Sequence, residues 1–182
     1  HRFQERPPDV VVHLAALLGR AASRSKPVDT FNVNMMGTLN LLEACRQLDI
    51  ERFIFMSSIT VHGKSDRILD EDSPIGPIHP YGASKAAAEA AIHAYVNSYG
   101  LRAVILRPNF IVGPVPSNYR ESLIYNFIAA AMEKGFIELA GDGSFEREWM
   151  HPEDIAEAVK LAILEQQEGC ETLILSDPEN RL

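Results

Sequence analysis

Residues 52–58 read RFIFMSS, an apolar run too short for a helix that closes on two serines. Unbroken hydrophobicity over this length, without alternation, predicts a strand buried on both faces, the signature of a parallel sheet covered by helices. Upstream, DVVVHLA (Asp9 to Ala15) has the same character, and so does RAVILRP (Arg102 to Pro108) downstream. The segments between these strands are helical in pattern. In FNVNMMGTLNLLEACRQL, Met35, Leu39, Leu42 and Leu48 follow helical spacing, with Glu43 and Arg46 off the stripe. Residues 60–79 contain Gly63, Gly76 and a run of charges and read as a loop. PYGASKAAAEAAIHAY (Pro80 to Tyr95) then reads as a helix, with Pro80 suited to its first turn and Gly100 to its stop.

Strand, helix, strand, helix, strand with crossovers of this length means right-handed βαβ units. The expected fold is therefore α/β, a Rossmann-like doubly wound parallel sheet. Beyond Val112–Pro114 the pattern loosens. A helix near 122–134, a short strand FIEL (136–139), a helix near 153–165 and a strand TLIL (172–175) are expected there.

Bulk properties narrow the partners. The chain has 182 residues, enough for one domain with a real core. A net charge of −8 leaves no basic stripe to neutralise phosphates, so no nucleic-acid partner is expected. No apolar run reaches the ~20 residues needed to span a bilayer, and no membrane association is expected. Cys45 and Cys170 are too few for a disulfide framework or a zinc site, and no metal site is expected. Cys45, inside LNLLEAC, reads as a small buried hydrophobe. A soluble cytoplasmic protein fits these features.

Tyr81 and Lys85 stand at i and i+4 of the alanine-rich helix, so they share a face. An ammonium near a phenol favours the phenolate and makes tyrosine usable as a base near neutral pH. The spacing alone serves equally a surface tyrosine and lysine that happen to share that face. Ser57 and Ser58 close a predicted parallel strand at its carboxyl end, where open α/β sheets bind ligands. A serine there can hydrogen-bond the oxygen that the tyrosine protonates or deprotonates; it can also simply cap local backbone groups.

In order, PDVVVHLAA, VNMMGTLNLLEACR, RFIFMSSITVHG, PYGASKAAAE, LRPNFIVGP and REWMHPEDIAEAV resemble the successive motifs of the extended short-chain dehydrogenase/reductases. The likeness is greatest to the NAD-dependent sugar epimerase/dehydratase group and spans about Pro8 to Ile163. The resemblance implies that Tyr81 is the catalytic base and acid, that Lys85 holds the nicotinamide ribose and lowers the tyrosine pKa, and that Ser58 is the third catalytic residue, also touching substrate. It implies that Leu14, Ala15, Ala16 and Leu17 line the cofactor's phosphate and ribose groups, with Ser57, Tyr81, Lys85 and Asn109 also at the cofactor. It assigns Arg147 to the diphosphate of a nucleotide-sugar substrate, where bidentate geometry favours arginine.

Three positions depart from the family pattern. His62 replaces the tyrosine of VYG, Phe110 takes the place of a substrate-contacting asparagine, and Val33 replaces a cofactor-contacting Asn or Thr. The Gly-rich turn that meets the cofactor pyrophosphate, and the residue that selects NAD over NADP, do not occur in these 182 residues. The expectation is a chain lacking its N-terminal βα units: a partial dinucleotide-binding domain over 1–114 that carries the catalytic residues, and a partial substrate-binding region over 115–182, interleaved with it. Such a chain alone is expected to be inactive and to bind NAD poorly.

The function implied is NAD-dependent epimerisation or dehydration of a nucleotide sugar, with NADP also compatible. Tyr81 would take the sugar hydroxyl proton while a hydride passes to NAD, and the keto intermediate would then be re-reduced or dehydrated. An NADPH-dependent carbonyl reductase and a catalytically silent nucleotide sensor are the alternatives; Arg147 speaks against the first and the Ser58, Tyr81 and Lys85 set against the second. A homodimer is expected through helices 34–48 and 81–98, because Ala86, Ala87, Ala88, Ala90, Ala91 and Ala94 leave the second helix almost no polar face.

Overall fold

The computed structural model describes residues 6–65, 67–114, 123–139, 141, 148–165 and 168–176, with backbone alone at 20–22. Strand β1 (Val11–His13) leads to two short helices, α1 (Arg20–Ser25) and α2 (Pro27–Phe31). A π-helical turn (Asn32–Met36) joins α2 to α3 (Gly37–Gln47). Then follow β2 (Arg52–Met56), a 3₁₀ turn (Ile59–Val61), α4 (Pro80–Tyr99), β3 (Arg102–Pro108) and β4 (Phe110–Ile111). Helix α5 (Leu123–Lys134), β5 (Trp149–Met150), α6 (Pro152–Leu164) and β6 (Cys170–Leu175) complete the order.

Four strands form one sheet in the order β1-β2-β3-β6, every pair parallel. Side chains alternate across it, as the pleat requires. Phe53, Phe55, Ala103 and Ile105 point to one face, where Leu42 and Cys45 of α3 and Ala88 and Ile92 of α4 cover them. Ile54, Val104 and Leu106 point to the other, under Val159, Ala162 and Ile163 of α6. Helices on both faces explain why these strands are continuously apolar, and the expected doubly wound sheet is what forms. Arg52 fastens the second layer: its Nη2 donates to the carbonyls of Ala162, Ile163 and Glu165, which the end of α6 would otherwise leave without helical partners.

Several expectations need correction. Residues 136–139 (FIEL) are exposed and form no strand, since no described segment lies alongside to complete a ladder. The two-stranded sheet there pairs β4 with β5 instead. The buried face of the helical run 27–47 is Thr30, Asn34, Thr38, Leu42 and Cys45, one position from the apolar stripe expected at Met35 and Leu39. Polar residues take the inner face because each finds a partner there: Thr38 donates to the Asn34 carbonyl at 2.5 Å, and His13 Nε2 lies 3.0 Å from the Thr38 hydroxyl. The loop over 60–79 opens with the 3₁₀ turn.

Candidate active site

Helix α4 begins where the site begins. His79 is its N-cap, its Nδ1 accepting from the Gly82 N–H at 3.0 Å, and Pro80 occupies the first turn without wasting a donor. Gly82 has to be glycine: a Cβ there would lie 2.5 Å from the Thr60 carbonyl oxygen. This close approach brings the turn after β2 against the first turn of α4, so that Ser58 and Tyr81 sit on neighbouring backbones. Tyr81 is half-buried and its ring stacks on His79, centroids 6.3 Å apart. At the far end Gly100 closes the helix with φ +73°, a left-handed value suited to glycine.

Ser58 N-caps the 3₁₀ turn. Its Oγ accepts from the Thr60 N–H at 3.3 Å and from the Thr60 hydroxyl at 3.0 Å, so its own proton is left to point at a third group. Ser57 is buried, and its hydroxyl donates inward to Glu89.

Lys85 lies one turn beyond Tyr81 and is 2% exposed. Its Nζ donates to the Met56 carbonyl at 2.6 Å and stands 4.5 Å from the centre of the Phe55 ring. Burial pulls its pKa down to about 8, against the carboxylate of Glu89, which favours the charged form. His13, between Phe53 and Phe55, is held at about 4, first by burial and then by the Lys85 charge, so it is neutral at pH 7.

The segment 14–17 leaves β1 at its carboxyl end, with Leu14 and Ala15 exposed and Ala16 and Leu17 half-buried. Asn34, to which sequence reading assigned no role, clamps it. Its Oδ1 accepts from the Leu17 N–H at 2.7 Å, and its Nδ2 donates to the Leu17 carbonyl at 3.1 Å and to the Ser84 hydroxyl at 3.0 Å. Ser84 donates in turn to the Tyr81 carbonyl at 2.8 Å, tying the segment to the first turn of α4. The signal for this was an asparagine four residues before a threonine, Asn34 and Thr38, which a helix puts on one face.

Beyond β3, Asn109 Nδ2 donates to Glu148 at 3.0 Å and its Oδ1 accepts from the Phe110 N–H, turning the chain into β4. The Phe110 ring packs on Trp149, centroids 5.6 Å apart, across the β4–β5 pair. Arg147 lies outside the described residues. His151, at the N-cap of α6, forms a capping box with Asp154. No group of three His, Cys, Asp or Glu among the described residues is placed to hold a metal ion. No helix among them is long and apolar enough to cross a membrane.

Curated relatives are similar to this chain in sequence and solved structures in fold. A trifunctional UDP-glucose 4,6-dehydratase/UDP-4-keto-6-deoxy-D-glucose 3,5-epimerase/UDP-4-keto-L-rhamnose-reductase of Arabidopsis thaliana is 36% identical over 166 residues, 88% of this chain and 24% of that protein. The dTDP-D-glucose 4,6-dehydratase of Homo sapiens is 32% identical over 168 residues, 92% of this chain and 47% of its own length. The UDP-glucose 4-epimerase of Brucella ovis, solved in complex with NAD, superposes with a TM-score of 0.86 at 30% identity, covering 96% of this chain and 59% of that one. The chain thus spans about a quarter and about half of the curated relatives it matches. Residues 1–174 match the model of the NAD dependent epimerase/dehydratase family, and the chain belongs to that family.

Proposed function

We propose that the protein containing this chain is an NAD-dependent nucleotide-sugar epimerase or dehydratase that works through Ser58, Tyr81 and Lys85. The observation that carries the reading is the state of Lys85. Its buried ammonium has three donors, of which one is used, on Met56, among the described residues. It stands beside Tyr81 at the carboxyl ends of β1 to β3, where parallel α/β sheets bind ligands.

That donor set fits a cofactor ribose, whose hydroxyls would take the remaining Lys85 donors. The exposed small and apolar residues Leu14 and Ala15 offer a flat wall for the adjoining groups, held in place by the Asn34 clamp. Bound NAD supplies a site that accepts a hydride and returns it. Tyr81, with Lys85 keeping a positive charge on its side, takes the proton from a sugar hydroxyl and later returns one. Ser58, with its proton unspent, hydrogen-bonds the same oxygen as charge develops on it. Sequence resemblance gives Arg147 the diphosphate, and the named relatives act on UDP- and dTDP-linked sugars, which supports that substrate class. Two free thiols, Cys45 and Cys170, suit a cytoplasmic protein.

In the full-length protein, Tyr81→Phe is expected to keep the fold and lower kcat by about 10²–10⁴-fold, the range for a general acid–base group. Near-normal turnover of UDP-glucose or dTDP-glucose by this variant, in a protein active on either, would sink the mechanism.

The same reading includes a homodimer through the helical run 34–48 and α4. Its support is apolar exposure: Met36 in that run is open to solvent, as are Phe31 and Val33 just before it and Ala90 and Ala94 on α4. Light scattering at micromolar concentration should report a dimer. Ala90→Glu with Ala94→Glu should weaken it, and a wild-type monomer would rule it out.

A further inference from the structure

The deepest charges in this chain include two that the proposed reaction does not use. Glu89 on α4 and Arg107 near the end of β3 are 4% and 5% exposed. They pair side by side, Arg107 Nε donating to Glu89 Oε1 at 3.1 Å and Nη2 to Oε2 at 2.8 Å. The Ser57 hydroxyl donates to the same Oε1. Arg107 Nη1 faces His62 Nε2 at 3.1 Å and donates to the Glu71 carbonyl at 3.4 Å. His62 Nδ1 lies 3.2 Å from the Pro74 carbonyl. A carbonyl only accepts, so Nδ1 carries the proton and Nε2 offers its lone pair to Arg107. One carboxylate therefore joins the ends of β2 and β3, the middle of α4 and, through Arg107, the loop from 62 to 74.

A buried ion pair of this kind is weak support for stability, because apolar residues of similar volume serve as well or better. What it supplies is a fixed geometry, and the geometry here is adjacent to Ser58. Ser57 is held twice: its N–H donates to the Leu106 carbonyl at 2.7 Å, binding it to β3, and its hydroxyl binds it to α4. Ser58, the next residue, inherits that placement relative to Tyr81 and Lys85 on the same helix.

We propose that Glu89 is a positioning residue, which through Ser57 and Arg107 holds Ser58 at the working distance from Tyr81 and Lys85. The inference rests on the reading of those three residues as the reactive set. His62, where the resembled family carries tyrosine, is the outer link of the same frame.

Ser57→Ala in the full-length protein removes one tether and leaves the ion pair intact. It is expected to lower kcat by about 10- to 100-fold, as small misplacements of reacting groups do, with little change in KM or melting temperature. Hydrogen exchange of the 58–62 amides should speed up, and Ser57→Thr, which restores the hydroxyl, should recover both exchange protection and turnover. Glu89→Gln gives a second reading. It takes away the charge that opposes the burial of Lys85, so Lys85 should release its proton at lower pH and the alkaline limb of kcat should move down. The other groups facing Lys85 are His13 from β1, Phe55 and the Met56 carbonyl from β2, and Tyr81 on its own helix; all stay in place.

Wild-type turnover and exchange in a folded Ser57→Ala would overturn the proposal. So would a loss of turnover that follows a drop in melting temperature and is not recovered by threonine. If Tyr81→Phe also turns over normally, the reading of the site has failed; if Tyr81→Phe is inactive while Ser57→Ala is unimpaired, the positioning role alone has failed.

Discussion

Helices α4 and α5 invert what their sequences suggest. Helix α4 is rich in alanine and carries a lysine and a glutamate, yet Ser84, Lys85, Ala88, Glu89 and Ile92 are buried. Helix α5, LIYNFIAAAMEK, is rich in large apolar side chains, and none of its residues is buried. The difference lies in what stands opposite. Small side chains let α4 approach the sheet closely, and each polar group it carries inward meets a partner: Lys85 the Met56 carbonyl, Glu89 Ser57 and Arg107, Ser84 the Tyr81 carbonyl. Helix α5 is anchored among the described residues through Tyr125, which donates to the Gly113 carbonyl and accepts from the Gly113 N–H. Burial follows complementarity across an interface, and composition is only half of that.

The contrast can be broken most directly at Ile92. It is fully buried in the cluster formed with β2, β3 and α3, and Ile92→Ala is expected to cost about 2–5 kcal/mol, read from the urea midpoint. A cost under about 1 kcal/mol would mean that α4 is not the centre of the core.

Acid should sharpen the comparison next, because the α4 side of the sheet holds a neutral histidine. His13 has its pKa lowered from 6.5 to about 4. Below pH 6.5 the unfolded chain takes up a proton that the folded chain refuses. Stability from this group therefore falls as pH drops from about 6.5 to about 4 and levels off below, by roughly 3 kcal/mol in all. His13→Gln keeps a donor for Thr38 but has no such titration, so its stability should fall less than wild type between pH 7 and 4.5. Equal losses in both proteins would refute the assignment.

The smallest effect belongs to α5. Met132 is 83% exposed, and Met132→Ala should change stability by no more than about 0.5 kcal/mol. A larger change would show that its surface is covered in solution.

The strands were legible because burial on both faces leaves an unbroken apolar run. Their ends were less so: β1 covers three residues of the longer run Asp9 to Ala15, since pairing with β2 covers only Val11 to His13. FIEL has the composition of a strand but pairs with no segment among the described residues. On the site, Tyr81 and Lys85 could be placed together because i and i+4 is a local relation that the helix guarantees. Glu89, Arg107 and His62 could not, because their relation spans the whole β2–α4–β3 crossover and exists only in the closed fold. Asn34 was hidden for the same reason, its partners Leu17 and Ser84 lying on two other segments. Position at a strand end did not tell Ser57 from Ser58, and only the family resemblance gave them different roles; in the fold the Ser57 hydroxyl turns to Glu89 while Ser58 caps the 3₁₀ turn.

The all-parallel sheet also governs how this chain reaches its native state. Val11 pairs with Phe53, Arg52 with Arg102 and Ala103 with Cys170, so no two neighbouring strands are joined by a hairpin that could form early. Each pairing must wait for a long helical crossover to close, and the entropy of that closure comes before any ladder compensates it. Refolding should accordingly be slow for the chain's size, with helices α3 and α4 gaining structure before the sheet. During that interval the strands that make the finished core so well packed, RFIFM and AVIL, stand unpaired and apolar. These segments make a slow-refolding chain most prone to aggregate at high concentration.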